Sequence, residues 1–239
     1  MADPRRLAAN GPPVVALIPP SCCGAGYFRR LRRSLGDRAD ARAVELPGHG
    51  RRRLEPPIIE AALAVRDVAE RLSGTGVDAV YGESLGAYVA LALTGILGVP
   101  LLLVASNSPP SVRPPVAGGG VRSLEDAVAA LTATGARIPE EVLTHPELAE
   151  QAGAMIVGDL RLSWSMIEAT RAAKVGADVH VLTGAADPAT IAPAAWAAHT
   201  TGRCEVSRIP GGHLLSATNP RGVADWIVRV LSGRQAAAG

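Results

Sequence analysis

Ser84, Asp187 and His213 are the residues of this chain whose types and order suit nucleophilic acyl transfer. Ser84 lies in residues 82–86, Gly-Glu-Ser-Leu-Gly, after an apolar run that predicts a strand and before an alanine- and leucine-rich run that predicts a helix. Glycines two residues to either side leave room for a sharp turn between strand and helix. Such a turn exposes the serine hydroxyl at the carboxyl end of a sheet. The pattern therefore predicts a serine nucleophile.

Asp187 and His213 follow Ser84 in the order acid, then histidine, and each comes after a strand-like run. A serine becomes an effective nucleophile when an imidazole accepts its proton, and a carboxylate fixes the tautomer of that imidazole. The alternative interpretation is that Asp187 caps a helix beginning near Ile191 and that His213 is an ordinary loop residue. Three residue types in the required order, each after a strand, favour a catalytic triad.

Other candidates for the acid and the base fit less well. The four remaining histidines are His49, His145, His180 and His199. Only His49, in a Pro-Gly-His-Gly turn, is placed to approach a pocket, and none of the four follows a strand in the C-terminal part of the chain. Asp178 precedes its predicted strand and would lie at the opposite end of the sheet from Ser84. We expect these five residues to be structural or solvated.

The elements that must position the triad alternate between strand and helix. This alternation predicts a mostly parallel central sheet flanked by helices, and 239 residues suit a single α/β domain over residues 1–239. The predicted strands lie near 13–18, 41–46, 77–82, 100–105, 178–184 and 203–209. The predicted helices lie near 26–35, 59–73, 84–97, 191–200 and 220–232.

Residues 84–112 contain no charged side chain, a run long enough to suggest a membrane span. Gly98-Val99-Pro100 divides the run, and proline ends a helix, so we predict a buried helix, a turn and a buried strand at 101–105. The apolar run at 14–18 is too short for the core of a signal peptide. We therefore expect a soluble, cytoplasmic protein that does not enter a membrane.

Charge and cysteine content argue against several kinds of partner. A formal net charge of +2 gives no reason to expect binding to nucleic acid. Cys22 and Cys23 are adjacent and Cys204 is alone, without the spacing or the histidine neighbours of a metal site. We expect reduced cysteines, no metal ion and no bound cofactor.

The segment from about residue 107 to residue 164 departs from the alternating pattern. It begins rich in proline and glycine and continues with short amphipathic helices, predicted at 124–134, 139–143 and 147–156. An insertion here would lie over the carboxyl edge of the sheet, above Ser84, and we predict that it serves as a lid. Its apolar side chains would either line an acyl channel or pack the lid onto the core; examples are Leu131, Leu143, Leu148 and Met155.

Six motifs follow one another along nearly the whole chain. They are residues 18–29 (Ile-Pro-Pro-Ser-Cys-Cys-Gly-Ala-Gly-Tyr-Phe-Arg), 45–51 (Glu-Leu-Pro-Gly-His-Gly-Arg), 82–86, 139–143 (Pro-Glu-Glu-Val-Leu), 183–187 (Thr-Gly-Ala-Ala-Asp) and 210–213 (Pro-Gly-Gly-His). In this order they resemble the stand-alone type II thioesterases that accompany polyketide synthases and nonribosomal peptide synthetases. That family belongs to the α/β-hydrolase superfamily, so the resemblance implies an α/β-hydrolase fold with a helical lid insertion.

The resemblance also implies roles for particular residues. Ser84, Asp187 and His213 would form the triad, and the backbone N–H groups of Ser21 and Leu85 would form the oxyanion hole. The implied activity is hydrolysis of acyl groups from the phosphopantetheine thiol of acyl or peptidyl carrier proteins, which clears stalled or wrongly primed synthase modules. The substrate brings the phosphopantetheine, the enzyme needs no cofactor, and we expect a monomer.

This chain departs from the family pattern beside the site. Cys22 and Cys23 replace a usual Gly-Gly pair, and Pro20 replaces a usual His or Tyr. The larger side chains would narrow the acyl entrance or change how the loop supplies its oxyanion donor. Glu83 replaces the usual His before the nucleophile. Glutamate at this position also occurs in carboxylesterases, so we expect activity to be retained.

Other functions on the same fold remain open from the sequence. They are a product-releasing thioesterase or cyclase, an ordinary carboxylesterase, and a non-catalytic binding module. A carboxylesterase would be favoured by a His-Gly-Gly-Gly loop after an early strand, which this sequence lacks. A binding module is disfavoured because all three triad residues are present.

Two arginine-rich runs, at 29–33 and 51–53, are predicted to begin near the carboxyl edge of the sheet. Carrier proteins are typically acidic, and the pantetheine arm carries a phosphate that arginine can bind in bidentate fashion. The runs would therefore suit docking of a carrier protein. The alternative is that they are simply a solvated charged face.

Overall fold

The structure, a computed structural model, describes residues 11–114, 121, 123–133 and 146–238. Its six strands are β1 (Val14–Ile18), β2 (Asp40–Ala43), β3 (Ala79–Glu83), β4 (Leu101–Ala105), β5 (Asp178–Gly184) and β6 (Cys204–Ile209). They form one sheet in the order β2-β1-β3-β4-β5-β6, and every neighbouring pair is parallel. All six correspond to strands predicted from the sequence, and their carboxyl ends meet at one edge.

Seven α-helices are described, and two of the α-helix predictions need adjustment. They are α1 (Arg29–Leu35), α2 (Ala61–Leu72), α3 (Leu85–Leu97), α4 (Leu124–Ala133), α5 (Pro146–Thr170), α6 (Leu215–Thr218) and α7 (Pro220–Ala238). The helix predicted at 191–200 is instead a 3₁₀ helix, Pro193–His199. The chain enters it through Ala192 in the left-handed conformation and leaves it extended at Thr200, and its seven residues make it longer than most 3₁₀ helices.

The second adjustment concerns α5. We predicted a short helix at 147–156, but α5 continues to Thr170. Its C-terminal half places Leu162 and Met166 in the main core beside α2 and α3, and this burial stabilises the extension. The helix predicted at 139–143 and the side chains of Leu131, Leu143 and Leu148 lie outside the described residues, whereas Met155 is half-buried. The lid therefore stays a prediction.

Helices cover both faces of the sheet because strand side chains alternate. In β1, Ala16 and Ile18 pack on the side of α2, α3 and α5, while Val15 and Leu17 pack on the side of α1 and α7. Burial on both faces explains why the strands are nearly continuous apolar runs.

The charge-free run folds as predicted, with α3 ending at Gly98 in the left-handed conformation and β4 following. Gly98 has φ of 62°, a conformation that glycine adopts without steric cost and that commonly ends a helix. Within the described part of the chain, no helix combines the length and the apolarity that crossing a membrane requires.

Candidate active site

Ser84 lies at the junction of β3 and α3, with φ of 55° and ψ of −123°. This conformation is costly for a residue with a side chain, and the surroundings hold it: the Ser84 N–H donates to the carbonyl of Ala105 at 3.0 Å. The chain passes so closely that a Cβ on Gly82 would collide with the carbonyl of Gly86, and a Cβ on Gly86 with that of Ile18. The glycines therefore permit the strained elbow that presents the serine hydroxyl.

The structure brings the three predicted triad residues into one hydrogen-bonded chain. His213 Nε2 lies 3.0 Å from Ser84 Oγ, and His213 Nδ1 lies 3.1 and 3.2 Å from the two carboxylate oxygens of Asp187. The Asp187 carboxylate is fully buried, whereas the His213 side chain is 36% exposed. A carboxylate accepts, so Nδ1 carries the proton and Nε2 is free to accept one from the serine. This is the arrangement that nucleophilic acyl transfer requires.

Asp187 has further partners in its own loop. Its carboxylate accepts the N–H of Ala189 at 2.9 Å and the hydroxyl of Thr190 at 2.6 Å. These bonds close a local turn, and the following 3₁₀ helix begins only at Pro193, so Asp187 is not the cap of a helix near Ile191. The local bonds instead fix the carboxylate where His213 meets it.

The sequence did not reveal the group of residues that supports the elbow from β4. Asn107 donates its amide N–H to the carbonyl of Ser84 at 2.6 Å and accepts from Tyr88 at 3.1 Å. Arg113 donates to both, at 3.0 Å each, and the indole of Trp196 donates to the Asn107 carbonyl. The available signal was the polar run at 106–108 directly after β4, because the carboxyl end of that strand adjoins the elbow.

Glu83, the residue before Ser84, is completely buried and accepts hydrogen bonds from three donors. Tyr27 donates to it at 2.8 Å, Tyr81 at 2.9 Å, and the backbone N–H of Ser216 at 3.3 Å. Burial raises the pKa of the Glu83 carboxyl, and the hydrogen bonds that it accepts oppose the rise. Glu83 thereby ties the nucleophile strand to the loop after β1 and to the helix after His213.

The predicted oxyanion donors lie on two segments that meet the elbow. Leu85 is the first residue of α3, so its N–H belongs to the turn of amide groups that a helix leaves without internal partners. Ser21 lies in a turn after β1 that the bond from Cys23 N–H to the Pro20 carbonyl closes, at 3.3 Å. The pairing of Ser21 with Leu85 as an oxyanion hole remains a prediction.

The two cysteines of this turn are free thiols. Burial, with smaller effects from Asp159 and Glu83, raises the pKa of Cys23 to about 11. A thiol with so high a pKa is protonated near neutral pH and is a poor nucleophile. The raised pKa disfavours Cys23 as a nucleophile near neutral pH and leaves Ser84 as the candidate.

A second histidine–aspartate pair, which the sequence did not indicate, lies near the same turn. His49 is buried, as expected for a structural residue, and its Nε2 lies 3.0 Å from Asp159 Oδ2 on α5. Burial alone would lower the pKa of His49, but the hydrogen bond and the charge of Asp159 outweigh it, so the pKa lies above the ordinary value. No local pattern marks Asp159, which is 110 residues away along the chain.

The other rejected candidates are placed as predicted, with one outside the described residues. Asp178 begins β5 at the edge opposite the elbow and pairs with Arg234 at 2.9 Å. His180 lies within β5, and His199 lies in the 3₁₀ helix, where its ring contacts the Ala173 carbonyl and the Ser111 hydroxyl. His145 lies outside the described residues.

Among the described residues, no group of three or more His, Cys, Asp and Glu side chains is placed to hold a metal ion.

Comparison with known proteins gives one family and several solved structures. The model of the family called thioesterase domain matches residues 13–230. A search of curated proteins gives no match. BorB, a type II thioesterase from the borrelidin biosynthetic cluster, is 28% identical, and the match has a TM-score of 0.71 and covers 96% of this chain and 95% of BorB.

Two further structures confirm the predicted fold. ClbQ, from the colibactin NRPS/PKS pathway, is 20% identical, with a TM-score of 0.79 and coverage of 95% of this chain and 100% of ClbQ. RedJ, a thioesterase from the prodiginine biosynthetic pathway in Streptomyces coelicolor, is 21% identical, with a TM-score of 0.71 and coverage of 97% and 87%. At such identities the likeness shows the shared fold alone.

Proposed function

The chain belongs to the thioesterase domain family, and we propose that it is a type II thioesterase. It would hydrolyse acyl groups from the phosphopantetheine thiol of carrier proteins and so clear stalled or wrongly primed synthase modules. The observation that carries the proposal is the hydrogen-bonded series from Asp187 through His213 to Ser84 on a strained elbow. The similarity to BorB, a type II thioesterase, supports it.

The first half of the reaction transfers the acyl group to the enzyme. Ser84 Oγ forms a bond to the thioester carbonyl carbon, while its proton passes to His213 Nε2 over the 3.0 Å hydrogen bond. The carbonyl electron pair moves onto oxygen, where the N–H groups of Leu85 and Ser21 would stabilise the charge. When the carbonyl re-forms, the carbon–sulfur bond breaks and the pantetheine thiolate leaves. A thiol has a pKa near 8.5, so it needs less protonation to leave than an alcohol does.

The second half releases the acid. His213 Nε2 gives up its proton to the departing thiolate, which becomes the free thiol, and then accepts a proton from water, which attacks the acyl-Ser84 carbonyl. Collapse of that intermediate returns the proton to Ser84 and frees the carboxylic acid. Every catalytic group in these reaction steps is a side chain or a backbone group of one chain. The proposed reaction therefore uses no cofactor, and a monomer is sufficient for it.

The arginines of the two arginine-rich runs differ in how available they are to a carrier protein. Arg29, Arg32 and Arg51 line one groove of about 990 Å³, so residues from both runs share a surface, and Asp37, Asp40 and Glu45 line the same groove. Arg52 is different: its guanidinium pairs with Asp67 and Glu55 at 2.6 Å each and is only 11% exposed. It is a structural residue and is unavailable for docking. An acidic carrier protein would complement the cationic part of the groove.

The essential test is Ser84→Ala. Ser84 is only half-buried and its hydroxyl is small, so its removal opens no large core cavity and the variant should fold. We expect hydrolysis of acyl thioesters to fall by more than a thousandfold, on the order of other triad deletions. Circular dichroism and thermal unfolding provide the control for folding. Turnover by this variant at near wild-type rate would rule out the proposed mechanism.

A substrate panel tests the substrate class. Wild-type protein is assayed on acyl-carrier proteins, on matching free thioesters and on oxygen esters. A type II thioesterase should prefer short acyl groups on the carrier protein. Preference for an oxygen ester would indicate a carboxylesterase, and hydrolysis restricted to a long finished chain would indicate product release.

Charge reversal tests the carrier partner. Arg32→Glu with Arg51→Glu alters the groove, and Arg30→Glu with Arg33→Glu makes the same change on another surface of α1, where these arginines line a separate groove with Ser34 and Arg221. We expect only the first pair to lower kcat/KM for an acyl-carrier protein, with free thioesters unaffected, and added salt to weaken the wild-type preference. Equal losses on both substrates would mean that the arginines support structure.

A further inference from the structure

A buried ion pair lies outside the triad and takes no part in the proposed acyl transfer. It joins His49, in the turn after β2, to Asp159 on α5, and their side chains are 2% and 3% exposed. Asp159 Oδ2 also accepts the backbone N–H of Cys22 at 2.5 Å. One carboxylate oxygen thus connects three segments that are far apart in the sequence.

The hydrogen-bond pattern assigns a proton to each nitrogen of the His49 ring. Nδ1 lies 3.0 Å from the carbonyl oxygen of Pro47, which can only accept. Nε2 lies 3.0 Å from Asp159 Oδ2, an oxygen that already accepts from Cys22, so Nε2 donates as well. A doubly protonated imidazole is a cation, and pairing with a carboxylate satisfies both charges in a site where an unpaired charge would be costly.

Cys22 is the residue whose conformation needs this support. It is the third residue of the turn that runs from Pro20 to Cys23, and its φ is 62°. A turn with positive φ at this position favours glycine, because the Cβ of any other residue crowds the backbone. Cysteine is therefore strained here, and the bond from its N–H to a charged acceptor offsets the strain.

We propose that Asp159 and His49 are positioning residues for the oxyanion hole, a role that rests on the proposed acyl transfer at Ser84. The peptide between Ser21 and Cys22 carries the N–H that Asp159 holds. The preceding peptide carries the N–H of Ser21, the predicted oxyanion donor. Peptide groups are planar, so once one is fixed the next can turn only about the two backbone dihedral angles of Ser21. The ion pair would orient the N–H of Ser21 and would not itself contact the substrate.

Asp159→Asn tests the proposal, because it removes the charge and nearly preserves the shape. We expect kcat to fall by about 100-fold, the size of loss that a small misplacement of reacting groups produces, with KM within about threefold of wild type. The affinity for phenylboronic acid should fall in parallel, since its tetrahedral adduct with Ser84 needs the oxyanion donors. His49→Gln should give a similar loss, and the double variant little more than either alone.

A matched control separates positioning from stability. Asp178→Asn removes a carboxylate from another ion pair, with Arg234, at the edge of the sheet opposite the elbow. It should lower stability without changing kcat of the folded protein.

A second variant tests whether the strain at Cys22 is relieved. Cys22→Gly in the Asp159→Asn background should recover about tenfold of the lost kcat, because glycine adopts positive φ without steric cost. A merely structural ion pair predicts no such recovery.

Three results would overturn the proposal. They are a folded Asp159→Asn protein with kcat within about twofold of wild type, a change in KM alone, or an unchanged affinity for phenylboronic acid. If Asp159→Asn does not fold, His49→Gln is judged by the same three measurements. The boronic acid needs only Ser84 and its oxyanion donors, so its binding reports on the ion pair even if no acyl thioester proves to be a substrate. Failure of the ion-pair proposal is thus distinguishable from failure of the proposed function.

Discussion

Among the residues that the structure describes, two histidine–aspartate pairs lie near the candidate site, and they differ in what the second ring nitrogen contacts. In the triad, Asp187 holds one nitrogen of His213, and the other faces the hydroxyl of Ser84. In the second pair, Asp159 holds one nitrogen of His49, and the other faces a backbone carbonyl. The distances are nearly the same, at 3.1 and 3.0 Å.

Exposure separates the two pairs further. The His213 side chain is 36% exposed, while that of His49 is 2% exposed. A general base must exchange protons with a substrate and with water, which only the first can do. The ring nitrogens of His49 face a carbonyl oxygen and a carboxylate, neither of which has a proton to give, so His49 can hold its neighbours in place but has no reacting proton to accept. The same pair of residue types therefore has a different role depending on which group the second ring nitrogen of the histidine contacts.

The largest expected effect is the difference in kcat between variants of two aspartates, Asp187 and Asp178. Asp187→Asn should lower kcat by about ten-thousandfold with little change in thermal stability, because the amide favours the wrong tautomer of His213. Asp178→Asn is the control, since Asp178 lies at the far edge of the sheet, and it should leave kcat unchanged. The measurement is the steady-state rate on a short acyl thioester. Comparable loss from Asp178→Asn would contradict the placement of the triad.

The next effect is a difference in the free energy of unfolding between variants of His49 and His213. His49→Ala should lower the free energy of unfolding by about 3–5 kcal/mol, because it leaves the Asp159 carboxylate buried without its cation. His213→Ala should cost about 1 kcal/mol, because Asp187 keeps its donors from Ala189 and Thr190. Urea unfolding of both variants provides the comparison. Equal losses would show that the buried pair is no more structural than the triad.

The smallest effect is a dependence of stability on pH. The pKa of His49 is raised in the folded protein by Asp159, so the folded state binds more protons than the unfolded state above the ordinary value of 6.5. The contribution of the pair to the free energy of unfolding is therefore complete below about pH 6.5 and is lost as the pH rises through the folded pKa.

Urea unfolding from pH 6 to 9 measures this contribution as the difference between wild type and His49→Gln. The difference should shrink as the pH rises. Taking the difference removes the contributions of other titratable groups, because these groups are present in both proteins. A difference that stays constant over this range would mean that the ring of His49 does not change charge with folding, against the assignment of two ring protons.

Most of the sheet and the triad were predictable because their signals are local. A run of apolar residues predicts a strand wherever it packs, and Gly82 and Gly86 mark a turn that the backbone alone requires. Asp187 and His213 then follow as candidates, because each comes after a strand of the parallel sheet and because the elbow motif is followed by an acid and then a histidine. The bounds of α5 were harder to predict, because its last turns are stabilised by burial of Leu162 and Met166 against distant helices.

The sequence by itself determined the parallel sheet, the elbow and the three residues that the fold brings into one hydrogen-bonded series, since these depend on short-range pattern and chain order. Only the tertiary structure decided which other charged residues have partners. It placed Asp159 against His49 and the Cys22 N–H, and it removed Arg52 from the surface into ion pairs. Such contacts join residues far apart in the chain, and whether a charge is paired depends on distance and burial, which no local pattern of residues records.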